Sequence, residues 1–256
     1  MSELLHVEKV SKHFGGIKAL TDVSFHVNRG EIFGVIGPNG AGKTTLFNAL
    51  TGLYQPDTGI ITLDKVSLYR RKPHEILKVG FARTFQNIRL FHNMTALENV
   101  MVGRHTRTRS GVLAALLHTA HNRAEERETT AYAQQLLNRV GIGKQAYTLA
   151  KHLSYGDQRR LEIARALASE PKLLALDEPA AGMNPNEKNA LRDLMVSLRA
   201  EGLTLMLIEH DVKLVMGICD RMVVLDYGQK IAEGTPEEVR HNPKVIAAYL
   251  GEEATA

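Results

Sequence analysis

Four short segments hold residue types whose spacing suits phosphate chemistry. GPNGAGKTT, Gly37 to Thr45, fits a glycine-rich loop that ends in lysine and a hydroxyl residue, between an apolar run and a helical pattern. Gly37, Gly40 and Gly42, interleaved with Pro38, Asn39 and Ala41, let successive backbone N–H groups curl around β- and γ-phosphates. Lys43 adds a point charge, Thr44 offers a hydroxyl to Mg2+, Thr45 closes the motif, and the dipole of the following helix strengthens the field. Chance produces such a pattern in about one chain in a hundred of this length. The loop therefore reads as a site for a nucleoside triphosphate with Mg2+.

KLLALDEP, Lys172 to Pro179, is an apolar strand ending in two acids. Strand C-termini line the ligand crevice of a parallel sheet. There Asp177 is placed to hold Mg2+, and Glu178 to take a proton from an attacking water. LTLMLIEHD ends a second such strand in His210, on the same edge and within reach of a γ-phosphate. LSYGDQRRLEIARAL, Leu153 to Leu167, opens like a helix. Ser154 and Asp157 have capping-box spacing, and Gly156 falls in the first turn, where a bare backbone suits close approach by an anion.

These groups need elements to position them. Residues up to about Lys65 read as strands, with LLHVEKV and FHVN alternating, EIFGVIG as a buried parallel strand, and IITLDKV after the turn QPDTG. From about Lys72 to Ala150 the chain reads as mostly helical: TALENVMVG, VLAALLHTA and AEERETTAYAQQLLNRVG. After Pro171, KLLALDE, LTLMLIE and RMVVLD alternate with helices, which implies a parallel sheet covered on both faces. TPEEVRHNPKVIAAYLG starts as a helix capped by Thr235, Pro236 and Glu238. The 256 residues, 44% hydrophobic and 23% charged, suit a globular chain with ample core. No run of about 18 apolar residues argues for a membrane span. MSELLHVEKV has charges where a secretory signal would be apolar. The single cysteine, Cys219, rules out an internal disulfide framework and reads as a buried small hydrophobe in a reducing compartment.

The net charge of +4 is uneven. Lys65 to Ser110 carries ten Lys and Arg against Glu75 and Glu98, so the remainder is acidic. This segment is either a solvated face or a surface that meets anionic lipid or nucleic acid.

In order along the chain, the Gly37 loop, Gln86 in RTFQNIRLF, LSYGDQ, LLALDEP and His210 resemble an ABC-type ATPase subunit over essentially the whole length. The resemblance implies an α/β fold. It would have a P-loop NTPase core with a parallel sheet, an N-terminal antiparallel β subdomain and an inserted helical subdomain. The chain would be one ABC ATPase domain. About 1–86 and 160–256 would form the RecA-like core with its β subdomain, and about 87–159 the helical subdomain with the signature. The resemblance further implies that Gln86 senses Mg2+ and the attacking water, that His210 is a switch histidine, and that Phe14 stacks on adenine. Ser154 and Gly156 would cap ATP bound by a second ATP-binding subunit, in a head-to-tail hetero- or homodimer. Three positions depart from the family pattern: Tyr155 and Asp157 replace a glycine and a glutamine of the signature, and Asn184 stands where Asp is usual.

Repair and chromosome members of the family carry long coiled coils between loop and signature. This chain has no sustained heptads there, which argues against a nucleic-acid partner. The ending GQKIAEGTPEEVRHNPKVIAAYLG and the Gln86 and signature segments closely resemble the larger ATP-binding subunit of bacterial branched-chain amino acid importers. Urea importers and the lipopolysaccharide export ATPase are near relatives. The resemblance implies two membrane permease subunits, a periplasmic substrate-binding protein, and a peripheral position on the cytoplasmic side of the bacterial inner membrane.

Overall fold

The computed structural model describes residues 2–105 and 120–253. VLAALLHTA falls largely outside them, as do Arg107 and Arg109. Among the described residues ten strands form two sheets. β1 (Glu3–Phe14), β2 (Ile17–Asn28), β4 (Thr58–Leu63) and β5 (Val66–Ser67) make an antiparallel sheet in the order β2-β1-β4-β5. The second sheet has the order β10-β9-β3-β8-β7-β6, formed by β3 (Ile32–Ile36), β6 (Phe81–Arg83), β7 (Leu173–Asp177), β8 (Thr204–Ile208), β9 (Arg221–Asp226) and β10 (Gln229–Gly234). All its pairs are parallel except β9 with β10. The two sheets match the expected β subdomain and parallel core.

β3, β7 and β8 are buried at every position, which is why they read as unbroken apolar runs rather than alternating ones. Their side chains divide by period two. Phe33, Val35, Ala175, Met206 and Ile208 join the antiparallel sheet and helices α1 (Lys43–Leu50) and α2 (Pro73–Val79) in one core. Ile32, Ile36, Leu174, Leu176, Leu205 and Leu207 pack on the other face against helices α3 (Ala96–Arg104), α4 (Ala120–Arg139), α5 (Tyr155–Leu167) and α6 (Pro185–Ala200). Phe25 and Phe33 stack between the two sheets, with centroids 5.4 Å apart and planes 9° apart. Such a pair contributes about 0.5–1.5 kcal/mol beyond its burial. Helix α7 (Val212–Ile218) and the residue after it come so near β3 that a Cβ on Gly34 would lie 3.1 Å from the Cys219 sulfur. Cys219 is accordingly buried, and burial pushes its thiol well above the usual thiol range.

α3 starts at Thr95, whose hydroxyl accepts from the Glu98 N–H while the Glu98 carboxylate accepts from the Thr95 N–H. A Cβ on Gly103 would stand 2.2 Å from the Arg165 carbonyl oxygen, so α3 packs backbone to backbone on α5. α5 runs unbroken across residue 160, near the expected boundary. The last helices, α8 (Pro236–Arg240) and α9 (Pro243–Glu253), follow β10. Thr235, Pro236 and Glu238 form the expected cap of α8.

Candidate functional site

Parallel pairing brings the C-terminal ends of β3, β7 and β8 to one edge. There the Gly37 loop, Asp177 with Glu178, and Glu209 with His210 emerge. An open cleft of about 530 Å3 lies at this edge. It is lined by Asn39 through Thr45, Gln86 and Glu178, together with Ile17, Lys18, Ala19, Tyr227 and Gly228.

The loop's shape depends on glycine at two points. Gly37 (φ 149°) would put a Cβ 2.1 Å from the Leu225 carbonyl oxygen, and Gly42 (φ 98°) would put one 2.7 Å from that of Ala19. The loop is therefore wedged between the β1–β2 hairpin and the β9–β10 turn. Gly228 N–H donates to the Ala41 carbonyl at 3.0 Å, and Thr21 N–H donates to the Gly228 carbonyl at 2.8 Å. The Lys43 ammonium is buried and donates to the carbonyls of Gly37 and Pro38 at 2.6 and 2.8 Å, which curls it over the loop. Thr44 is exposed at the start of α1. This donor set of bare backbone, ammonium and hydroxyl at a helix N-terminus fits a phosphate chain.

Glu178 has a left-handed backbone (φ 46°) and is tied to β8 by its N–H, which donates to the Ile208 carbonyl at 2.9 Å. The Gln86 side-chain amide donates to the Glu178 carboxylate at 2.9 Å. His210 Nδ1 lies 3.7 Å from the same oxygen, on a side chain that is 62% exposed. The structure thus brings together Gln86, Glu178 and His210 beside the loop. Asp177 is buried and accepts from Arg83 at 2.9 Å through Oδ2. Burial raises the Asp177 carboxyl above its usual range, and the Arg83 guanidinium opposes that shift.

Other expected residues lie elsewhere. Phe14 does not line the cleft: it is 42% exposed, edge-on to Tyr54 at 5.2 Å with Lys12 Nζ 5.4 Å from its ring. Its neighbours Ile17, Lys18 and Ala19 do line it. Ser154 and Gly156 stand apart from it, at the start of α5. Ser154 caps that helix by accepting from the Asp157 N–H at 3.2 Å. The Asp157 carboxylate lies 3.5 Å from Arg160 instead of returning to Ser154. Asn184 is the N-cap of α6 in a reciprocal box with Glu187. The Tyr155 ring faces Gly182, whose imagined Cβ would be 3.2 Å from it. Arg104 is engaged within the chain by Glu170 at 2.8 Å, Glu128 at 3.5 Å and the ring of Tyr132 at 4.1 Å.

Three groups of buried charges at the site were not legible in the sequence. Arg83 joins β6 to α1 by donating to Asn48 at 2.7 Å and Thr51 at 3.0 Å, besides holding Asp177. Glu209 accepts from the N–H groups of Ala180, His210 and Asp211, so it ties the segment after Glu178 to the one bearing His210. Burial raises its carboxyl above the usual range, against the effect of these hydrogen bonds. Arg159 and Glu162 on α5 pair with each other at 3.3 Å and reach the backbone around Gln86. In sequence Arg159 and Glu162 look like charged residues on the solvated face of a helix.

Residues 20–181 match the family model described as ABC transporter, and residues 229–255 match one described as branched-chain amino acid ATP-binding cassette transporter. The chain is 48% identical to the high-affinity branched-chain amino acid transport ATP-binding protein BraF of Pseudomonas aeruginosa, over 97% of this chain and 98% of that one. It is 47% identical to the corresponding protein LivG of Escherichia coli K12, with the same coverage. Among solved structures, an ATP-binding cassette of an ABC transporter in its ADP conformation superposes with a TM-score of 0.85 at 32% identity, covering 98% of this chain and 100% of that one. A dimeric ATP-binding cassette in a post-hydrolysis state bound to ADP and Pi gives 0.77 at 25% identity, covering 91% and 99%.

Proposed function

This chain belongs to the ABC transporter family of ATP-binding cassettes, and from that premise we propose that it is the ATP-hydrolysing motor subunit of a branched-chain amino acid importer. One observation carries the catalytic part: the Gln86 amide holds the Glu178 carboxylate at 2.9 Å beside the Lys43 loop. The transported substrate is inferred from the names of the relatives and from the match of the C-terminal segment.

In this reading the backbone N–H groups of the Gly37 loop and the Lys43 ammonium bind the β- and γ-phosphates of ATP. Thr44, Asp177 and Gln86 would hold Mg2+, which supplies charge neutralisation for phosphoryl transfer. Arg83 holds Asp177 at the end of β7 through its hydrogen bond to Oδ2. Glu178 accepts the proton of the attacking water, Gln86 orients that water, and His210 hydrogen-bonds the γ-phosphate. Phe14 lies outside the lining of the cleft, three residues before Ile17, and would stack only on an adenine that extends past that wall.

Ser154 and Gly156, standing apart from this chain's own loop, offer a hydroxyl and a bare helix N-terminus to ATP on a second ATP-binding subunit. The motor sits on the cytoplasmic face of the inner membrane against two permease subunits, which a periplasmic binding protein supplies with substrate. Among the described residues no helix is long and apolar enough to cross a membrane, so in this assembly the permeases provide the spans.

The test is reconstitution of the chain with its sister subunit and permeases in liposomes, with the binding protein supplied outside. Leucine uptake driven by internal ATP, lost on Lys43→Ala, is the expected result. ATP turnover with no leucine, isoleucine or valine uptake would overturn the substrate, and no turnover would overturn the motor.

A further inference from the structure

The α5 helix and the segment carrying Gln86 are joined by charges taken out of water. Arg159 is 2% exposed and Glu162 is 1% exposed. One guanidinium nitrogen of Arg159 donates to the Phe85 carbonyl at 2.6 Å, and the other donates to the Gln86 carbonyl. Glu162 answers from one turn further on, accepting from the N–H groups of Phe85 at 3.3 Å and Arg89 at 3.4 Å. Backbone that would otherwise need water or a strand partner is thus held by two side chains of a distant helix.

The arrangement is poor as a pure stabiliser. Arg159 Nε is buried without a hydrogen-bond acceptor. Replacing a buried ion pair with apolar packing is often neutral or stabilising. What the pair supplies is a fixed distance between two functional segments. Its second guanidinium arm also donates to the Tyr155 hydroxyl at 3.1 Å, and the Tyr155 ring faces Gly182, four residues beyond Glu178. Arg159 therefore meets the start of the signature helix on one side and the main chain of Gln86 on the other. The Gln86 side chain, on that same main chain, reaches Glu178.

We propose that Arg159 is a positioning residue: with Glu162 and the Tyr155 hydroxyl it fixes the Gln86 backbone to the signature helix. Movement of Ser154 and Gly156 on a partner's ATP then moves Gln86 relative to Glu178 in this chain's own site. The inference rests on the reading of the chain as a paired motor. It assigns Tyr155 a role as a link between the signature and the segments that carry Gln86 and Gly182.

The test uses the complete assembly, with a sister subunit whose own catalytic carboxylate is neutralised, so that turnover reports this chain. Arg159→Lys keeps the charge but loses the two-armed grip. It is expected to lower kcat about tenfold while KM for ATP stays within twofold. Tyr155→Phe, which removes one hydrogen-bond partner and keeps the ring, should lower kcat two- to threefold. Amide hydrogen exchange at Phe85 and Arg89 should rise at least tenfold in Glu162→Gln, without change at Leu174 or Leu176 in β7.

A lowered melting temperature with kcat within twofold of wild type in both Arg159→Lys and Tyr155→Phe would make Arg159 merely structural and overturn the proposal. Unchanged exchange at Phe85 and Arg89 would overturn the lock itself. If Arg159→Lys does not fold, Tyr155→Phe alone decides, by the same kcat criterion. Absence of Lys43-dependent turnover in the wild-type assembly would instead refute the motor reading.

Discussion

Glu178→Gln isolates proton acceptance from every other task of that residue. The amide is isosteric with the carboxylate and can still be held by Gln86, whose side chain lies at 2.9 Å. The left-handed backbone at φ 46° is as unfavourable for Gln as for Glu, so the substitution leaves that strain unchanged. The contact with His210, at 3.7 Å and half in solvent, is an exposed pair worth about 0–1 kcal/mol. A chain of this size loses about 2–4 °C of Tm per kcal/mol, so the variant should melt within about 4 °C of wild type. Removing a general base costs about 10²–10⁴ in rate. At about 1.36 kcal/mol per decade this raises the barrier by roughly 2.7–5.5 kcal/mol. The assay is single-turnover hydrolysis of γ-labelled ATP by the chain assembled with a sister subunit whose own catalytic carboxylate is neutralised, with binding measured in parallel by calorimetry. Wild-type affinity and a hundredfold or greater slowing are expected. A rate within tenfold of wild type, at intact binding, would refute Glu178 as the base.

Lys43→Ala removes the ammonium that curls over the Gly37 loop; calorimetry on the folded variant should show ATP affinity reduced at least a hundredfold, and unchanged affinity would remove the loop from the site. Ser154→Arg places a long cation at the exposed start of α5; the isolated chain should bind ATP normally, while photo-crosslinking in the mixed dimer should fall on the sister's site, and loss of binding by the isolated variant would mean that Ser154 serves its own loop. Asp57 has its carboxyl lowered to about 2, first by the hydrogen bond from Lys12 and then by the His13 N–H. A lowered carboxylate contributes stability above its unfolded pKa of about 3.9, and that contribution fades as pH falls through the folded value. Asp57→Asn should therefore show a lower urea midpoint than wild type from pH 7 to 5, with the gap closing between pH 4 and 2; a gap constant down to pH 3 would refute the linkage.

Contiguity decided what could be read from the residues. The Gly37 loop is a local motif, and its glycines meet the carbonyls of Ala19 and Leu225 just where an added Cβ would not fit. Asp177 and Glu178 were legible because an unbroken apolar run must end at a sheet edge. Arg83 was not, since its partner Asp177 lies 94 residues away and RTF reads as an ordinary exposed arginine. Arg159 and Glu162 look like a solvated i, i+3 pair on an amphipathic helix, and only the fold brings the Gln86 segment onto them. Asn184 was read as a departure in charge, although N-P-N-E already spells a helix cap with proline at the first position and Glu187 completing the box. Summed charge also overcounts: in the basic Lys65–Ser110 stretch, Arg83 is committed to Asp177 and Arg104 to Glu128 and Glu170, so neither is a free surface cation.

The position of β3 bears on how the chain is made. This strand, which ends in the Gly37 loop, pairs on one side with β8 and on the other with β9. Both partners are translated long after it. At about 5–20 residues per second, the roughly 170 residues between the end of β3 and the start of β8 take on the order of 10–30 s to synthesise. Throughout that time both edges of a fully apolar strand lack their partners. The wall of the cleft formed by Tyr227 and Gly228 comes later still. A ribosome-bound nascent chain that has not yet extruded Gly228 cannot assemble the phosphate-binding loop, whatever nucleotide concentration surrounds it. Nucleotide affinity is thus acquired near the end of translation, and until then β3 is an unpaired apolar strand open to other growing chains.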